Sequence, residues 1–370
     1  MISSWVMLSI LSILYSSFLK MKGFFIPNLM MMFFVVRAVP ITSFIGCNEQ
    51  PKDFVFWELI YWIVLFIFIR YLKIPPLPKV PKSKQIINII AFIMIITVII
   101  ISGYYTHFRI TLDLLNVYGI RREFNSYNVP TIVLYIWSAA GNILPLLLIY
   151  YFVKGKKGMV AFLIFIIILN FSINGLKSNL FKMILCVVMF VFVKKNIIKL
   201  YGYLMSALMG LALIFDYILK EASLLTTMIV RRLFYVPALL DTMYYDYFKT
   251  HQPLYFMQKE NTLPIVYEIG DVYFDRPTMS ANNGMFSDAV TNMGVIGCFV
   301  MPFIVALYLQ LFAKAFDRAN HQITLFVALL IMNVFHSTNL TTCLLTHGII
   351  LTCITLYLMS AELKYIPVKS

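Results

Sequence analysis

The stretch IINIIAFIMIITVIIISGYYT, residues 86–106, contains no charged side chain. The hydrocarbon core of a bilayer is about 30 Å thick, and an α-helix needs about 20 apolar residues to cross it. The stretch has that length and an almost wholly apolar composition. It therefore predicts a transmembrane helix, and this prediction decides the class of fold.

Comparable apolar stretches recur along the chain. Eleven can be counted: 2–19, 24–46, 54–72, 86–106, 130–153, 159–176, 179–193, 200–219, 286–312, 321–337 and 342–361. We do not expect the first to be a cleavable signal peptide, because no basic residue precedes it and Lys20 and Lys22 follow it. The sequence predicts an all-α polytopic membrane protein with about 11 transmembrane helices (10–12). We expect residues 1–370 to form a single integral membrane domain.

The composition supports this class and excludes others. Of the 370 residues, 61% are hydrophobic and only 12% are charged, whereas soluble domains carry roughly 25% charged residues. A soluble globular enzyme and a disordered chain are thereby excluded. The five cysteines show no C-x-x-C spacing, which argues against a disulfide framework and a zinc site. No internal repeat is visible, which argues against a transporter built from inverted halves.

Lys and Arg are unevenly divided between the two sides that strict alternation of the spans predicts. The side richer in these residues comprises 20–22, 70–84, 154–157, 194–199, 314–318 and the C-terminus. Because cytoplasmic loops are enriched in Lys and Arg, that side is predicted to be cytoplasmic. The N-terminus is then outside and the C-terminus inside. The net charge of +14 is mainly anchoring and does not indicate a nucleic-acid partner.

The predicted outer face carries both long loops of the chain, at 107–129 and 220–285. Loops of this length are usually functional or disordered, and the second is too rich in Tyr, Phe, Leu and Val to be disordered. Apolar residues between 224 and 248 follow an amphipathic helical pattern that Pro237 interrupts. We expect this amphipathic segment to lie along the boundary between the membrane and water.

Six cationic side chains of the predicted outer face are candidate ligands for an anionic substrate. They are Arg109, Arg121, Arg122, Lys177, Arg231 and Arg232. Guanidinium groups bind phosphate bidentately and stay charged at any working pH. The adjacent Arg231 and Arg232 oppose the usual excess of positive charge on the inner face. Two alternatives stay open: the arginines of 107–129 could pair with Asp113 and Glu123, and Lys177 could extend to lipid headgroups.

Arg37 is a special case, because it lies midway along the predicted span 24–46. An ionisable group at that depth must face the interior of the bundle or pair with an acid. We expect a structural ion pair in preference to a catalytic role. The sequence does not indicate which acid is the partner.

Three residues of the predicted outer face are candidate general bases. They are Asp288, Glu268 and His251. Carboxylates and imidazole can each deprotonate an attacking hydroxyl. Asp288 falls about one turn into the span 286–312, where the helix dipole alone would stabilise a carboxylate. The first external loop has no closely spaced acid pair, so we expect a site without metal or cofactor, although Asp271 and Asp275 stay open as metal ligands.

External cations, carboxylates and amphipathic aromatic surface together suit a substrate with an anionic headgroup and a lipid tail. A lipid-linked pyrophosphate sugar has these parts. The cations would neutralise negative charge that develops on the leaving pyrophosphate. A carboxylate or a histidine would take the proton of the attacking hydroxyl.

Three short motifs and the plan of the chain point to one family. The motifs are GLKS at 175–178, RRLFYVP at 231–237 and NNG…D…NMGVIG at 282–297. The plan is ten to twelve spans with one dominant external loop late in the chain. In these features the sequence resembles the O-antigen polymerase (Wzy-type oligosaccharide repeat-unit polymerase) family over nearly its full length.

The resemblance implies a metal-independent glycosyltransferase of lipopolysaccharide or other surface-polysaccharide biosynthesis. It would be a multi-pass protein of the bacterial inner (cytoplasmic) membrane, active at the periplasmic face. It would transfer the growing glycan from undecaprenyl pyrophosphate onto a new lipid-linked repeat unit. Arg231, Arg232 and Lys177 would contact the pyrophosphates, with Arg121 and Arg122 in a similar role. The partners it implies are the lipid-linked glycan, a chain-length regulator and a flippase.

Other functions stay open on the sequence alone. A polysaccharide flippase or transporter predicts cationic residues along a central cavity. An O-antigen ligase uses neighbouring chemistry but attaches the finished polymer to the lipid A core. A membrane acyltransferase would present a histidine at the mouth of the bundle, and His336 is the residue that keeps this alternative open.

Overall fold

The computed structural model describes residues 1–78, 80–112, 117–193, 197–257, 263–316 and 319–362. Within these ranges the chain is helical and contains no strand. Asp113, a possible partner for the arginines of 107–129, lies outside the described residues, as do Lys79, Lys194, Lys195 and residues 317–318 and 363–370 of the predicted cytoplasmic side. The prediction of an all-α protein is confirmed.

Sixteen α-helices follow one another in the described residues. They are α1 (Ile2–Ser16), α2 (Phe25–Phe33), α3 (Val39–Cys47), α4 (Lys52–Tyr71), α5 (Ser83–Thr106), α6 (Val117–Asn125), α7 (Thr131–Val153), α8 (Lys157–Asn174), α9 (Lys177–Phe192), α10 (Leu200–Leu219), α11 (Val236–Thr250), α12 (Ile265–Phe274), α13 (Met285–Met293), α14 (Gly297–Phe316), α15 (His321–Ser337) and α16 (Ile349–Glu362). Two 3₁₀ turns, Ser17–Lys20 and Gly294–Ile296, and three π-helical segments, Phe34–Ala38, Thr226–Tyr235 and Thr342–Thr346, complete the described helical structure.

Within the described ranges, eight helical segments are long and apolar enough to cross a membrane, which agrees with the predicted class. They are Ile2–Lys20, Phe25–Cys47, Lys52–Tyr71, Ser83–Thr106, Thr131–Val153, Lys157–Asn174, Leu200–Leu219 and Met285–Phe316. The other three predicted spans correspond to α9, α15 and α16, which have 16, 17 and 14 residues. At a rise of about 1.5 Å per residue these helices are shorter than the bilayer core. The count of eleven spans therefore stays a prediction.

The stretch that decided the class, residues 86–106, lies within α5. Its lack of Gly and Pro before Gly103 allows an uninterrupted helix. The helix ends because His107 and Phe108 adopt positive φ angles of 48° and 58°. The amide of Phe108 then bonds to the carbonyl of Ser102 at 3.1 Å, which satisfies one of the last free carbonyls.

The chain divides into two compact units. Unit 1 comprises 1–74, 197–311 and 331–340, and unit 2 comprises 75–196, 312–330 and 341–370. The prediction of a single membrane domain over the whole chain stays a prediction. Each unit is described by itself below.

Unit 1 has an aromatic core between α1, α4 and the π-helical segment Phe34–Ala38. The ring of Tyr15 stacks on Phe34 with the centroids 5.6 Å apart and meets Trp62 edge-on at 6.1 Å. The Tyr15 hydroxyl donates to the carbonyl of Trp62 at 3.2 Å. Tyr15 and Trp62 are at most 1% exposed. Large rings with one satisfied polar atom thus hold the first helices together.

A second core in unit 1 lies between α11, α12 and the segment before α13. Its buried members are Leu240, Tyr244, Tyr247, Phe248, Ile269 and Ala281. Gly270 allows the close approach of the loop after α12, because a Cβ there would lie 2.2 Å from the carbonyl oxygen of Met279. The amphipathic segment predicted between 224 and 248 is helical throughout, and the interruption predicted at Pro237 is absent. Pro237 lies where the π-helical segment Thr226–Tyr235 passes into α11.

Unit 2 is built around α5, α7, α8, α9 and α16. The middle of α7 is buried on all sides, from Ala139 to Tyr151. The Tyr151 hydroxyl donates to the side chain of Asn88 on α5 at 2.9 Å. The short helix α6 lies over the end of α8, where a Cβ added to Gly175, whose φ is +61°, would lie 3.1 Å from the carbonyl oxygen of Val117 and 3.2 Å from the Cβ of Ile120. Residues of the predicted first external loop therefore pack on the ends of this bundle.

Candidate functional site

A buried ion pair lies in the interior of unit 1. The Nη2 atom of Arg37 donates to both carboxylate oxygens of Asp241, at 2.7 and 2.9 Å. The two side chains are only 4% and 1% exposed. The expectation that Arg37 faces the interior or pairs with an acid is confirmed, and α11 supplies that acid.

Two neutral side chains complete the buried network. Asn283 accepts from Nη1 of Arg37 at 3.3 Å and donates to Asp241 at 2.9 Å. Ser287 donates to the same carboxylate at 2.8 Å and accepts from Asn283 at 2.7 Å. Charges removed from water are stable only when their hydrogen bonds are satisfied in this way. The network ties α11 and α13 to the π-helical segment Phe34–Ala38.

Asp241 was not among the residues singled out in the sequence, although a signal was present. It lies three, four and seven residues before Tyr244, Tyr245 and Phe248, which are all buried. Side chains at this spacing share one face of a helix. A carboxylate on the apolar face of an amphipathic helix favours a buried cation as its partner, and Arg37 is a buried cation that favours an acid.

Glu58 adds a second buried carboxyl group in unit 1, on α4. It is 1% exposed, and its Oε1 atom accepts from the indole nitrogen of Trp62 at 2.9 Å. Its Oε2 atom has no hydrogen-bond partner among the residues that the structure describes. Glu58 interacts electrostatically with Asp241 and Arg37. This buried region therefore holds two carboxyl groups and one arginine.

Asp288, a predicted general base, is also buried in unit 1, with 6% of the residue exposed. Its Oδ2 atom accepts from the amide of Leu340 at 2.8 Å, and its Oδ1 atom accepts from the side chain of Asn292 at 2.7 Å. Both oxygens are thus occupied by donors. The geometry shows Asp288 as the link between α13 and the chain after α15, and its role as a base stays a prediction.

The other two predicted bases meet at one tyrosine. The hydroxyl of Tyr247 donates to Glu268, and the ring of Tyr247 stacks on the ring of His251 at 4.0 Å. Nδ1 of His251 lies 2.8 Å from the carbonyl oxygen of Tyr247. Burial and the bond to Glu268 raise the pKa of Tyr247. Glu268, Tyr247 and His251 are called the base cluster below.

The adjacent Arg231 and Arg232 lie on the π-helical segment Thr226–Tyr235, directly before α11. Both side chains are exposed. No ion pair joins either of them to a described residue. The π-helix is rare and frequently marks functional positions. Of the three π-helical segments in the described chain, one contains this arginine pair and another contains Arg37.

The remaining predicted cations belong to unit 2. Arg109 forms a two-pronged ion pair with Glu123, at 2.8 and 3.1 Å, and this pair lowers the pKa of the Glu123 carboxyl group. The alternative of pairing with Glu123 therefore holds for Arg109. Arg122 is exposed, whereas Arg121 is half-buried with its Nε atom enclosed. Lys177 is the half-buried first residue of α9.

Unit 1 contains an open pocket of about 290 Å³ beside α11. Its wall consists of aromatic, aliphatic and polar side chains: Gln50, Pro51, Phe54, Leu239, Thr242, Met243, Tyr245, Asp246, Lys249 and Tyr273. Five of these residues lie along one face of α11. They are Leu239 and the residues three, four, seven and ten positions after it, Thr242, Met243, Asp246 and Lys249. The pocket borders the core, because its lining residues Met243 and Tyr273 also pack against the core cluster.

Two polar pairs fix the rim of this pocket. Lys249 Nζ lies 2.7 Å from Asp53 Oδ2, and the Tyr273 hydroxyl donates to Asp246 Oδ2 at 2.7 Å. The hydrogen bond with Asp53 raises the pKa of Lys249. The Oδ1 atom of Asp246 accepts no hydrogen bond from a described residue. One carboxylate oxygen is therefore free to accept from a ligand.

No described group of three or more His, Cys, Asp or Glu side chains is arranged to hold a metal ion. The chain matches no protein-family model, no curated protein and no solved structure. The fold and the eight apolar helices define the class, an all-α membrane protein.

Proposed function

We propose that this protein is a lipid-linked repeat-unit polymerase, a glycosyltransferase that works at a membrane surface. The observation that supports it most directly is the exposed Arg231–Arg232 pair, to which no described carboxylate is joined. Two neighbouring guanidinium groups without an acid partner leave their donors available for the oxygens of a pyrophosphate. Lys177 and Arg122, which form no ion pair with a described residue, are further candidates in unit 2.

The surroundings of the arginine pair suit a substrate with a lipid tail. Leu224 is 79% exposed, and Ile229 and Tyr235 on the same helical segment are also exposed. An apolar surface next to cations is typical of a helix at headgroup depth. The pyrophosphate would lie on the arginines, with the polyprenyl chain in the bilayer beside them.

The reaction that we propose joins two lipid-linked glycans. A hydroxyl group at the non-reducing end of a new repeat unit attacks the anomeric carbon of the growing glycan. The bond from that carbon to the pyrophosphate oxygen breaks, and undecaprenyl pyrophosphate leaves. The hydroxyl proton passes to a base, for which the base cluster offers Glu268 and His251. Arg231 and Arg232 neutralise the charge on the leaving pyrophosphate.

The orientation belongs to the same proposal. The long segments with the arginine pair and the base cluster would face the periplasm, with the membrane the bacterial inner membrane. The partners that belong to this proposal are a flippase that delivers the lipid-linked repeat unit and a regulator of chain length.

The class is tested by the lipopolysaccharide gel of a deletion strain. Loss of the ladder, with one repeat unit still attached to the core, is expected of a polymerase. An intact ladder would contradict the proposal. A missing ladder with no repeat unit attached would instead support a flippase or a ligase, and accumulated lipid-linked polymer separates these two alternatives in favour of the ligase.

The site is tested by complementing that strain with variants of Arg232. Arg232→Ala is expected to abolish the ladder at unchanged protein level, and Arg232→Lys to restore little of it, because lysine cannot form the bidentate contact. Arg276→Ala is the matched control, since Arg276 is another exposed arginine of unit 1. A full ladder from Arg232→Ala would remove this residue from the site.

A further inference from the structure

The pocket beside α11 differs chemically from the arginine pair. Its lining includes three aromatic residues, of which Tyr273 is half-buried and Phe54 and Tyr245 are buried. Lys249, its one cationic lining residue, is already neutralised by Asp53 at 2.7 Å. The carboxylate of Asp246 has no cation bonded to it in the described chain. The uncompensated charge of the pocket is therefore negative, which disfavours a phosphate.

The polar atoms that remain available are suited to hydroxyl groups. Asp246 Oδ1 is a free acceptor, and the half-buried side chain of Gln50 offers an amide donor and acceptor that bond to no described residue. Hydrogen bonds to a charged acceptor are stronger than those between neutral groups. The half-buried aromatic ring of Tyr273 beside such acceptors fits the apolar face of a sugar ring, whose hydroxyl groups point outward around its edge.

The position of the pocket along α11 indicates which part of a glycan it would hold. Fourteen residues of continuous helix separate Arg232 from Asp246, and at the rise of a helix this is about 20 Å. One end of a lipid-linked glycan carries the pyrophosphate, and sugars at a distance from that end are neutral unless modified. The helix has cations at one end and, toward the other, a pocket suited to a neutral polyol. This arrangement matches the order of groups along the glycan.

We propose that this pocket binds a neutral sugar residue of the glycan, several sugars away from the pyrophosphate. The assignment to the glycan rests on the proposed function, whereas the binding of a neutral sugar rests on the pocket alone. Asp246 accepts from the sugar hydroxyls, Gln50 adds a further hydrogen bond, and the half-buried ring of Tyr273 contacts the apolar face of the sugar.

The experiment uses the purified full-length protein in detergent and a panel of neutral methyl glycosides, observed by saturation-transfer NMR. At least one glycoside is expected to bind the native protein. Asp246→Ala and Gln50→Ala are expected to weaken that binding, the former about tenfold, because each removes a hydrogen-bond partner of the ligand. Inorganic pyrophosphate is expected not to compete with the glycoside.

Asp275→Asn is the matched control. Asp275 is another exposed acid of unit 1, lies outside the pocket and has a φ of 53°, a conformation that asparagine tolerates. Binding should be unchanged in this variant. The proposal is overturned if no glycoside binds, if Asp246→Ala and Gln50→Ala bind as the native protein does, or if pyrophosphate displaces the sugar.

Failure of this inference is distinguishable from failure of the proposed function. A ladder that depends on Arg232 without any sugar binding to the pocket would overturn the sugar site and leave the polymerase in place. Sugar binding that depends on Asp246 in a protein whose deletion leaves the ladder intact would overturn the polymerase and leave the sugar site in place.

Discussion

Arg37 and Asp241 are each buried almost completely. This burial determines how far the removal of one partner lowers the stability of the protein. A single buried charge without its partner keeps the full cost of its desolvation. The favourable interaction in the pair offsets much of that cost only while both groups are present. The pair and the neighbouring Asn283 and Ser287 therefore act as one unit in the energetics of unit 1.

Arg37→Ala is expected to lower the free energy of unfolding by about 3–5 kcal/mol, since Asp241 would be left buried without a cation. The double variant Arg37→Met, Asp241→Leu is expected to recover much of this loss, because it removes both charges. Asn283 would keep its bonds to Ser287 and to the carbonyl of Pro237. Thermal unfolding of the purified protein in detergent measures both changes.

Native stability of Arg37→Ala would contradict a structural role for this pair. A double variant no more stable than the single one would contradict the stated cause, because the ion pair itself, and not the unpaired charge, would then carry the effect.

At the scale of elements, the junction of α13 with the end of α15 and the residues that follow it depends on Gly284. This glycine directly precedes α13, and a Cβ there would lie 2.4 Å from the carbonyl oxygen of Phe335 and 2.6 Å from that of His336. Backbone atoms cannot be displaced as the end of a flexible side chain can. The same junction carries the bond from Leu340 to Asp288, so the close approach positions that predicted base.

Gly284→Ala is expected to destabilise the protein by about 1–3 kcal/mol, the typical cost of overpacking. Gly210→Ala is the matched control, because no atom lies within 4 Å of the Cβ that would be added in the middle of α10. That substitution is expected to be neutral or to stabilise the helix by about 0.5–1 kcal/mol. Midpoints of thermal unfolding in detergent compare the two, and equal midpoints would show that the junction can move apart.

The π-helical segments are elements that the sequence pattern did not predict. Thr226–Tyr235 belongs to the segment expected to be an amphipathic helix, and the expected helix is present. The apolar periodicity of a sequence indicates a helix, but it does not distinguish π-helical from α-helical turns. The π-helical turns of this segment were therefore not predicted. The apolar pattern could therefore locate Arg231 and Arg232 on a helix without specifying the local geometry.

At the scale of the whole molecule, the distribution of Lys and Arg predicts the orientation, with the N-terminus outside and an odd number of spans. The cysteines offer a direct test. Cys47, at the end of α3, is exposed, whereas the other four cysteines are buried. The connection after α3 is predicted to be outside, and the connection around Lys22 is predicted to be inside.

A maleimide that cannot cross membranes is expected to label the native protein in spheroplasts, and Cys47→Ser is expected to abolish the labelling. Lys22→Cys in the Cys47→Ser background is expected to react only after the membrane has been permeabilised. Reaction of Lys22→Cys in intact spheroplasts would contradict the predicted topology. The proposed chemistry would then lie on the opposite face of the membrane.

The sequence by itself determined the class of this protein, because the length and apolar character of a span are local sums over neighbouring residues. It also located the cations and acids and showed that Arg37 needed an acid. Only the tertiary structure decided that this acid is Asp241, 204 residues away along the chain, and that Glu268 and His251 meet at Tyr247. Likewise, only contacts show that Arg109 is neutralised while Arg231 and Arg232 form no ion pair within the described chain. Pairing between distant residues depends on how helices pack, and no local property of the sequence records that packing.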